Sequence, residues 1–290
     1  MKRMTYIDSR YPSVPPSLFK NRTSATAFLL TFTSSIILQV LSYFLPIYFQ
    51  AVKRTTILES GVLFLPFALG SLVFAVVSGS LLSKFGQYRP LHALAFALAA
   101  FAFGLLTLLD SKTAKAAYVW FELIASGGMG MVMSVLLPAI MAPLPEKYVA
   151  SAPATYSFVR TFGYIWGVTV PGLIFNSVFD HHLYTISKPS IRMQLSGGAA
   201  YAFASRAHID GDLYSSEDWE EITSVYIKSF NTIWYVCLGI SLFSFVAVGF
   251  ERSVKLRQEL DTEYGLEPKE VATGAKSDAA EYDKESSTEK

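Results

Sequence analysis

The sequence predicts an all-α integral membrane protein with six transmembrane helices, and three observations predict it. Of 290 residues, 52% are hydrophobic and only 16% are charged, with a mean hydropathy of +0.36. Soluble domains carry about 45–50% and about 25%. The polar residues are segregated into residues 1–24, the stretch 180–229 and residues 251–290. What remains divides into six mostly apolar runs, at about 25–47, 60–83, 91–110, 117–141, 151–178 and 230–250. Each can form a helix that crosses a hydrocarbon core about 30 Å thick at about 1.5 Å per residue.

Runs that are apolar all round have no place on the surface of a soluble fold. In lipid their backbone groups must be paired within the segment, which makes them helices. The alternation over about 10 residues that marks a membrane strand is missing. The connections support the count. Residues 1–24 form a polar lead into the first run, which is too long for a signal-peptide core and reads as an uncleaved span. Lys53, Arg54 and Glu59 separate the first two runs, Gly79–Pro90 the next two, Asp110–Lys115 the third pair and Pro143–Lys147 the fourth. The 180–229 loop contains a helix start: Ser215 as N-cap with Asp218 three residues on, then Ile222, Val225, Tyr226, Ser229 and Phe230 on one face. That helix should run straight into the sixth span. Beyond about Thr262 the chain is rich in Glu, Lys, Ser and Asp, a composition expected to stay disordered.

Lys and Arg in the short flanks set the orientation. With the N-terminus inside, eleven fall inside and eight outside. Four of those eight lie in the long loop, which counts for less. Both termini are therefore expected in the cytoplasm, with 180–229 outside. The net charge of +1 and the lack of long basic blocks give no reason to expect nucleic acid as a partner. The lipid bilayer is the expected partner. Cys237 is the only cysteine, so no intrachain disulfide is possible. No nucleophile–base constellation, phosphate loop or zinc spacing is visible, so neither an enzyme nor a cofactor is expected. The adjacent His181 and His182 have no further ligands near in sequence and make a poor metal site.

The turn Gly79-Ser-Leu-Leu-Ser-Lys-Phe-Gly-Gln-Tyr-Arg-Pro90 invites a closer reading. Gly86 permits a tight turn, Lys84 and Arg89 sit at the headgroups, and Pro90 suits the first turn of a helix. Gly79 offers a small surface for helix packing. On chemistry alone this is a positive loop that fixes topology. Its pattern also resembles the loop motif of the major facilitator superfamily, Gly-x3-acid-basic-x-Gly-x-basic-basic. Ser83 stands in place of the acid and Tyr88 in place of a basic residue. Phe44–Gln50 followed by Ser60-Gly-Val62 and Leu65-Pro66, Phe158–Val168, Leu260–Leu266 and Pro16–Arg22 are similar to segments of the fungal drug:proton antiporter branch with fourteen spans.

The resemblance covers about residues 15–266 and matches only the C-terminal half of such a transporter. It implies one six-helix half of a major facilitator fold, whose two halves enclose the substrate between them. It further implies proton-coupled export of small amphipathic or toxic compounds by alternating access, incomplete without an N-terminal half, in the plasma membrane rather than the vacuolar one. A protein of another class remains open: a transport-inactive six-span protein that associates with itself or with a full-length relative.

Charges inside spans are expensive and point to function. Glu122 reads either as a proton or cation site or as an acid hydrated near the outer surface. Arg160, about nine residues into its span, could bind an anionic substrate group, pair with an acid or lock two helices. A Glu122–Arg160 pair is disfavoured because the two sit at different depths. Gln39, Tyr43, Gln50, Tyr164 and Trp166 could line a path, although aromatic residues more often serve as core or interface belt. Gly127, Gly128 and Gly130, and the pair Gly163 and Gly167, read as helix-packing surfaces. Pro46, Pro66, Pro138 and Pro171 should interrupt or kink their helices. The sequon Asn21-Arg-Thr23 would lie in the cytosol and go unused.

Overall fold

The computed structural model describes residues 15–145, 148, 151–209 and 213–252. The expected disordered tail, the 260–266 segment and the basic residues before Pro15 lie outside the described residues. So does Lys147. Among the described residues the chain is all helix and turn.

After one 3-10 turn at Pro16–Phe19, α1 (Arg22–Lys53) starts at Asn21, whose side chain accepts the Thr23 N–H at 2.9 Å. The helix closes on Arg54, a left-handed residue at φ 55°. The next span is in two pieces, α2 (Ile57–Leu63) and α3 (Leu65–Phe85). A capping box between Thr56 and Glu59 opens α2. The break at Phe64 follows from Pro66, which cannot donate to the preceding turn and crowds its carbonyl. Gly86 ends α3 at φ 65°, a backbone that costs glycine nothing and a β-carbon residue about 1 kcal/mol or more. Pro90 then sits in the first turn of α4 (Arg89–Leu106). α5 is Lys115–Met141 and α6 is Ser151–His182. The long connection folds as two short helices, α7 (Pro189–Leu195) and α8 (Ala200–Arg206). The Ser215–Asp218 capping box opens α9 (Ser216–Val248), and Lys188 reaches across from the α7 cap to bond Asp218 at 2.6 Å.

Among the described residues, six helical segments are long and apolar enough to cross a membrane. α4 stops at Leu106, short of the run ending near 110, because Thr107 to Leu109 turn back on Phe103, Leu105 and Leu106. α9 stops at Val248, where Gly249 and Phe250 wind into turns. Of the four span prolines only Pro66 separates helices; Pro46, Pro138 and Pro171 lie inside continuous ones. The expected interruptions at those three are absent.

α1 packs against α5, α6 and α9, while α5 also packs on α3 and α4, and α4 on α9. Small residues set the close approaches. A β-carbon on Gly163 would come within 2.7 Å of Ser35 and 2.8 Å of the Phe32 carbonyl, and one on Gly167 within 2.8 Å of Gln39 and of the Ile36 carbonyl. Gly128 abuts the α4 backbone, at 2.7 Å from the Ala95 carbonyl and 2.9 Å from the Ala99 nitrogen. Gly130 is as tight against the Ser71 carbonyl. Gly127 and Gly79 do not fit the packing expectation: their added carbons would meet only ordinary contacts, at 3.4 and 3.9 Å. Their faces turn toward side chains rather than backbone. Gly70, unremarked in the sequence, presses on Ser126 instead.

The spans are unequally covered. About 61% and 67% of the apolar windows of α1 and α5 are buried, against 22% for α2–α3 and 28% for α6. The uncovered sides form continuous stripes: Leu65, Leu69, Leu72, Val73 and Val76 on α3, and Phe158, Phe162, Ile165, Trp166 and Leu173 on α6. Both recur at helical spacing, so each is one face of its helix. The two α7–α8 loop ends and the 106–115 turn share one end of the bundle, the loop face. The 86–89 turn and the end of α9 share the other, the turn face.

Candidate functional site

Arg160 lies where α1, α5 and α6 meet. Around it are the hydroxyls of Thr31, Ser34 and Ser35 from α1, Met129, Val132, Met133 and Leu136 from α5, and Tyr156 from α6. The helix seam itself explains this composition. Gly163 and Gly167 let α6 come against the α1 backbone at Phe32 and Ile36, with Ser35 at the contact, and Thr31 and Ser34 line the seam beside it. Each hydroxyl returns to a carbonyl of its own helix, at 2.6–3.1 Å. The Arg160 Nε donates to the Tyr164 hydroxyl at 2.6 Å, one turn on. Arg160 has no carboxylate partner among the described residues. A guanidinium carries five N–H donors; one goes to Tyr164 and the Tyr156 hydroxyl also interacts with it, so the charge is held by its own helix.

Gln39 lies further along the α1–α6 seam, with its β-carbon against Gly167. Tyr43, one turn on, is 43% exposed and rests edge-on against Phe44. The long loop comes down to this point: Tyr201 of α8 packs on Phe44 and Phe175 and lies within reach of Gly172. Neither its hydroxyl nor the Asn176 Oδ1 has a hydrogen-bond partner. Trp166 is elsewhere, on the open stripe of α6 beside Phe162. Gln50 is a clip between helices, donating to the Ser60 hydroxyl at 2.9 Å.

Glu122 is separate from all of these. It is fully buried, so the hydrated-surface reading does not hold, and neither carboxylate oxygen completes a hydrogen bond. The Phe67 N–H at the start of α3 faces it. This is the first turn after the Phe64 break, where backbone donors lack helical partners. Glu122 also lies about 10 Å along α5 from Met129, the nearest α5 residue of the Arg160 seam, at about 1.5 Å per residue. The two charges form no pair. Tyr118, one turn above Glu122, forms the floor of a cleft of about 710 Å³ on the loop face, bordered by Lys53, Arg54, Glu59 and Lys115. Lys53 is already committed to the carbonyls of Ser111 and Thr113, at 2.9 and 2.7 Å. In the same turn the Thr113 hydroxyl, aided by the Lys112 amide, holds the Asp110 carboxyl below its ordinary range.

The motif turn is tied to the far end of the chain. Tyr88 donates to the Arg252 carbonyl, Arg89 to the Gly249 carbonyl at 3.2 Å, and Arg252 N–H to the Thr23 hydroxyl at 3.1 Å. Beneath them His92 Nδ1 meets both carboxylate oxygens of Glu251, at 3.0 and 2.9 Å, and both side chains are fully buried. Sequence reading passed over this pair. A histidine inside an apolar run is the signal that was available; its partner, 159 residues away, has none. His182, by contrast, is occupied locally by the Val178 carbonyl at 2.8 Å.

A Major Facilitator Superfamily profile matches residues 8–168. The chain is 38% identical over 270 residues to the MFS-type transporter ucsD of Acremonium sp, covering 93% of this chain and 46% of that protein. It is 41% identical over 258 residues to the MFS-type transporter gkaD of Penicillium citrinum, covering 89% and 44%. It is 36% identical over 259 residues to the MFS efflux transporter aclA of Aspergillus oryzae, covering 89% and 46%. The chain thus spans less than half the length of these curated relatives. Its six apolar helices form one half of the two-half architecture, and the chain belongs to the major facilitator superfamily.

Proposed function

We propose that this chain is one half of an exporter of small amphipathic compounds, driven by protons through alternating access and completed by an N-terminal six-helix half. The observation that carries the reading is Arg160. It is a cation in mid-span with no carboxylate partner, set among hydroxyls at the meeting of three helices in a chain similar to named efflux transporters. A charge in that position is costly unless it meets a ligand or a counter-charge. In this reading Arg160 and Tyr164 bind a polar group of the substrate, while Gln39 and Tyr43 contact its apolar body. Glu122 takes up the proton, because an acid buried without a partner is the group most favoured to bind one. The open faces of α3 and α6 are where the other half docks, and the plasma membrane is the site of action.

The test joins the chain to the N-terminal half of a relative and measures uptake into proteoliposomes under an imposed proton gradient. Arg160→Gln is expected to lower transport by about tenfold or more, the loss of one charge-assisted contact, with Arg160→Lys intermediate. Glu122→Gln is expected to remove the gradient dependence while downhill exchange continues. No transport from any pairing would favour the other role, association with a full-length relative. Gradient-driven transport at full rate in Glu122→Gln would exclude Glu122 as the proton site.

The proposed sidedness, with the turn face cytoplasmic, can be read by cysteine labelling. The sole cysteine, Cys237, is buried and contributes no background. Ser111→Cys should react with an impermeant maleimide in intact cells, and Gln87→Cys only after permeabilisation. The reverse pattern would invert the topology.

A further inference from the structure

A groove of about 590 Å³ opens between the start of α4 and the end of α9. Its rim is polar, formed by Gln87, Arg89 and Gly249, and its floor is apolar, formed by Pro90, Ala93, Phe245 and Val246. From Arg89 to Ala93, and from Gly249 to Phe245, the lining runs one helical turn, about 6 Å, into the span. The groove is therefore amphipathic in the direction in which a bilayer is amphipathic. Its rim lies at the helix ends, where headgroups are, and its floor at the depth of the first methylenes.

The charge around it has one sign. Among the described residues, Lys20, Arg22, Lys84, Arg89 and Arg252 lie at the turn face, and the one carboxylate there, Glu251, is buried against His92. Arg22 sits over the Phe250 ring at 5.3 Å, beside the groove. Arg89 commits one N–H to the Gly249 carbonyl, which fixes the guanidinium at the rim, and the group has five N–H donors in all. The loop-face cleft makes the contrast. There Glu59 offsets the cations, and Lys53 is spent on carbonyls.

We propose that this groove is a binding site for an anionic phospholipid. The phosphate pairs with Arg89 at the rim, and the upper part of an acyl chain lies on Ala93, Phe245 and Val246. A basic pocket between helix ends at the headgroup level is the kind of site that selects anionic lipid. A free phosphate would use Arg89 but gain nothing from the floor. The proposal stands on the membrane setting and does not require that the chain transports anything.

The test is native mass spectrometry of the full chain in mild detergent, titrated with phosphatidylglycerol or with phosphatidylcholine of the same acyl chains. Phosphatidylglycerol should bind about tenfold tighter, as one charge-assisted contact in a basic field implies. Arg89→Gln should reduce that preference to about twofold or less. Ala93→Phe, which fills the floor and leaves the charge, should weaken both lipids. Gln87→Glu changes only the exposed rim and should cut the preference even if Arg89→Gln fails to stay monodisperse. Equal binding of the two lipids, or a preference unchanged in both rim variants, overturns the proposal. Displacement of phosphatidylglycerol by excess inorganic phosphate reduces the groove to an anion site and overturns the lipid assignment.

Discussion

Replacing His92 by alanine is expected to destabilise the bundle by about 1–3 kcal/mol, the range for leaving a buried hydrogen-bonding group unsatisfied, and by more where the pair is ionic. His92 and Glu251 are both fully buried and 2.9 Å apart. Taking away the imidazole leaves a carboxylate with no donor and no water. Glu251→Ala should cost a comparable amount, because it frees α9 from α4 at the point where three further bonds converge on the same turn. Glu251→Gln separates two readings of the pair. An amide oxygen still accepts the Nδ1–H of a neutral ring, so a small loss identifies a neutral hydrogen bond. A loss as large as that of alanine identifies an imidazolium paired with a carboxylate. His92→Leu combined with Glu251→Leu should recover most of the stability, since apolar replacement of a whole buried pair is often neutral or better. Thermal unfolding of the purified chain, followed by loss of the monodisperse peak, reads all four variants. Wild-type melting in His92→Ala would mean that the turn is held by the Tyr88, Arg89 and Thr23 bonds alone.

Two neighbouring glycines should respond in opposite ways. Gly128→Ala places a methyl 2.7 Å from the Ala95 carbonyl and 2.9 Å from the Ala99 nitrogen. Both are backbone atoms of α4, which cannot move aside singly, so α4 and α5 must separate. Overpacking of this kind costs about 1–3 kcal/mol, and a larger residue such as valine costs more. Gly127→Ala meets the end of the Leu98 side chain at 3.4 Å and the Phe74 ring at 3.7 Å. It should be neutral, or stabilise by up to about 1 kcal/mol through the lost flexibility of the unfolded glycine. Paired melting curves decide the matter; equal shifts would show that the α4–α5 contact is not the tight surface its geometry indicates.

The contrast shows what the sequence could and could not disclose. Gly127, Gly128 and Gly130 look alike as letters in an apolar run, and only the rotation of α5 decides which of them faces a backbone. Gly70 matters for the same reason and carried no signal at all. The six spans were legible because length and apolarity are properties of single segments. So was the start of α9, because a capping box is local. Pro46, Pro138 and Pro171 lie inside continuous helices, as membrane helices tolerate, while Pro66 opens α3 just after α2 ends. At the site, Arg160 and Glu122 were visible as charges within spans. The Arg160–Tyr164 bond is a local one, four residues apart on one helix, whereas the placement of Glu122 under the start of α3 and of Arg160 against α1 and α5 depends on packing between distant segments. The Glu251 partner of His92 was out of reach for the same reason.

The fifth span has a consequence for how the protein enters the membrane. α6 has the lowest hydropathy of the six segments, 1.3 against 2.2 for the second, and it carries Arg160 well inside. One central arginine costs about 2.5–3.5 kcal/mol at the translocon, while a leucine or phenylalanine returns about 0.3–0.6. Insertion of α6 on its own is therefore near balance. α1 precedes it in the chain and offers it a packing surface at Phe32, Ser35, Ile36 and Gln39, against which Gly163 and Gly167 fit. A leucine in place of Arg160 would ease insertion of α6, and under the proposed function it would also remove the group that meets the substrate, so the two demands pull on the same residue in opposite directions.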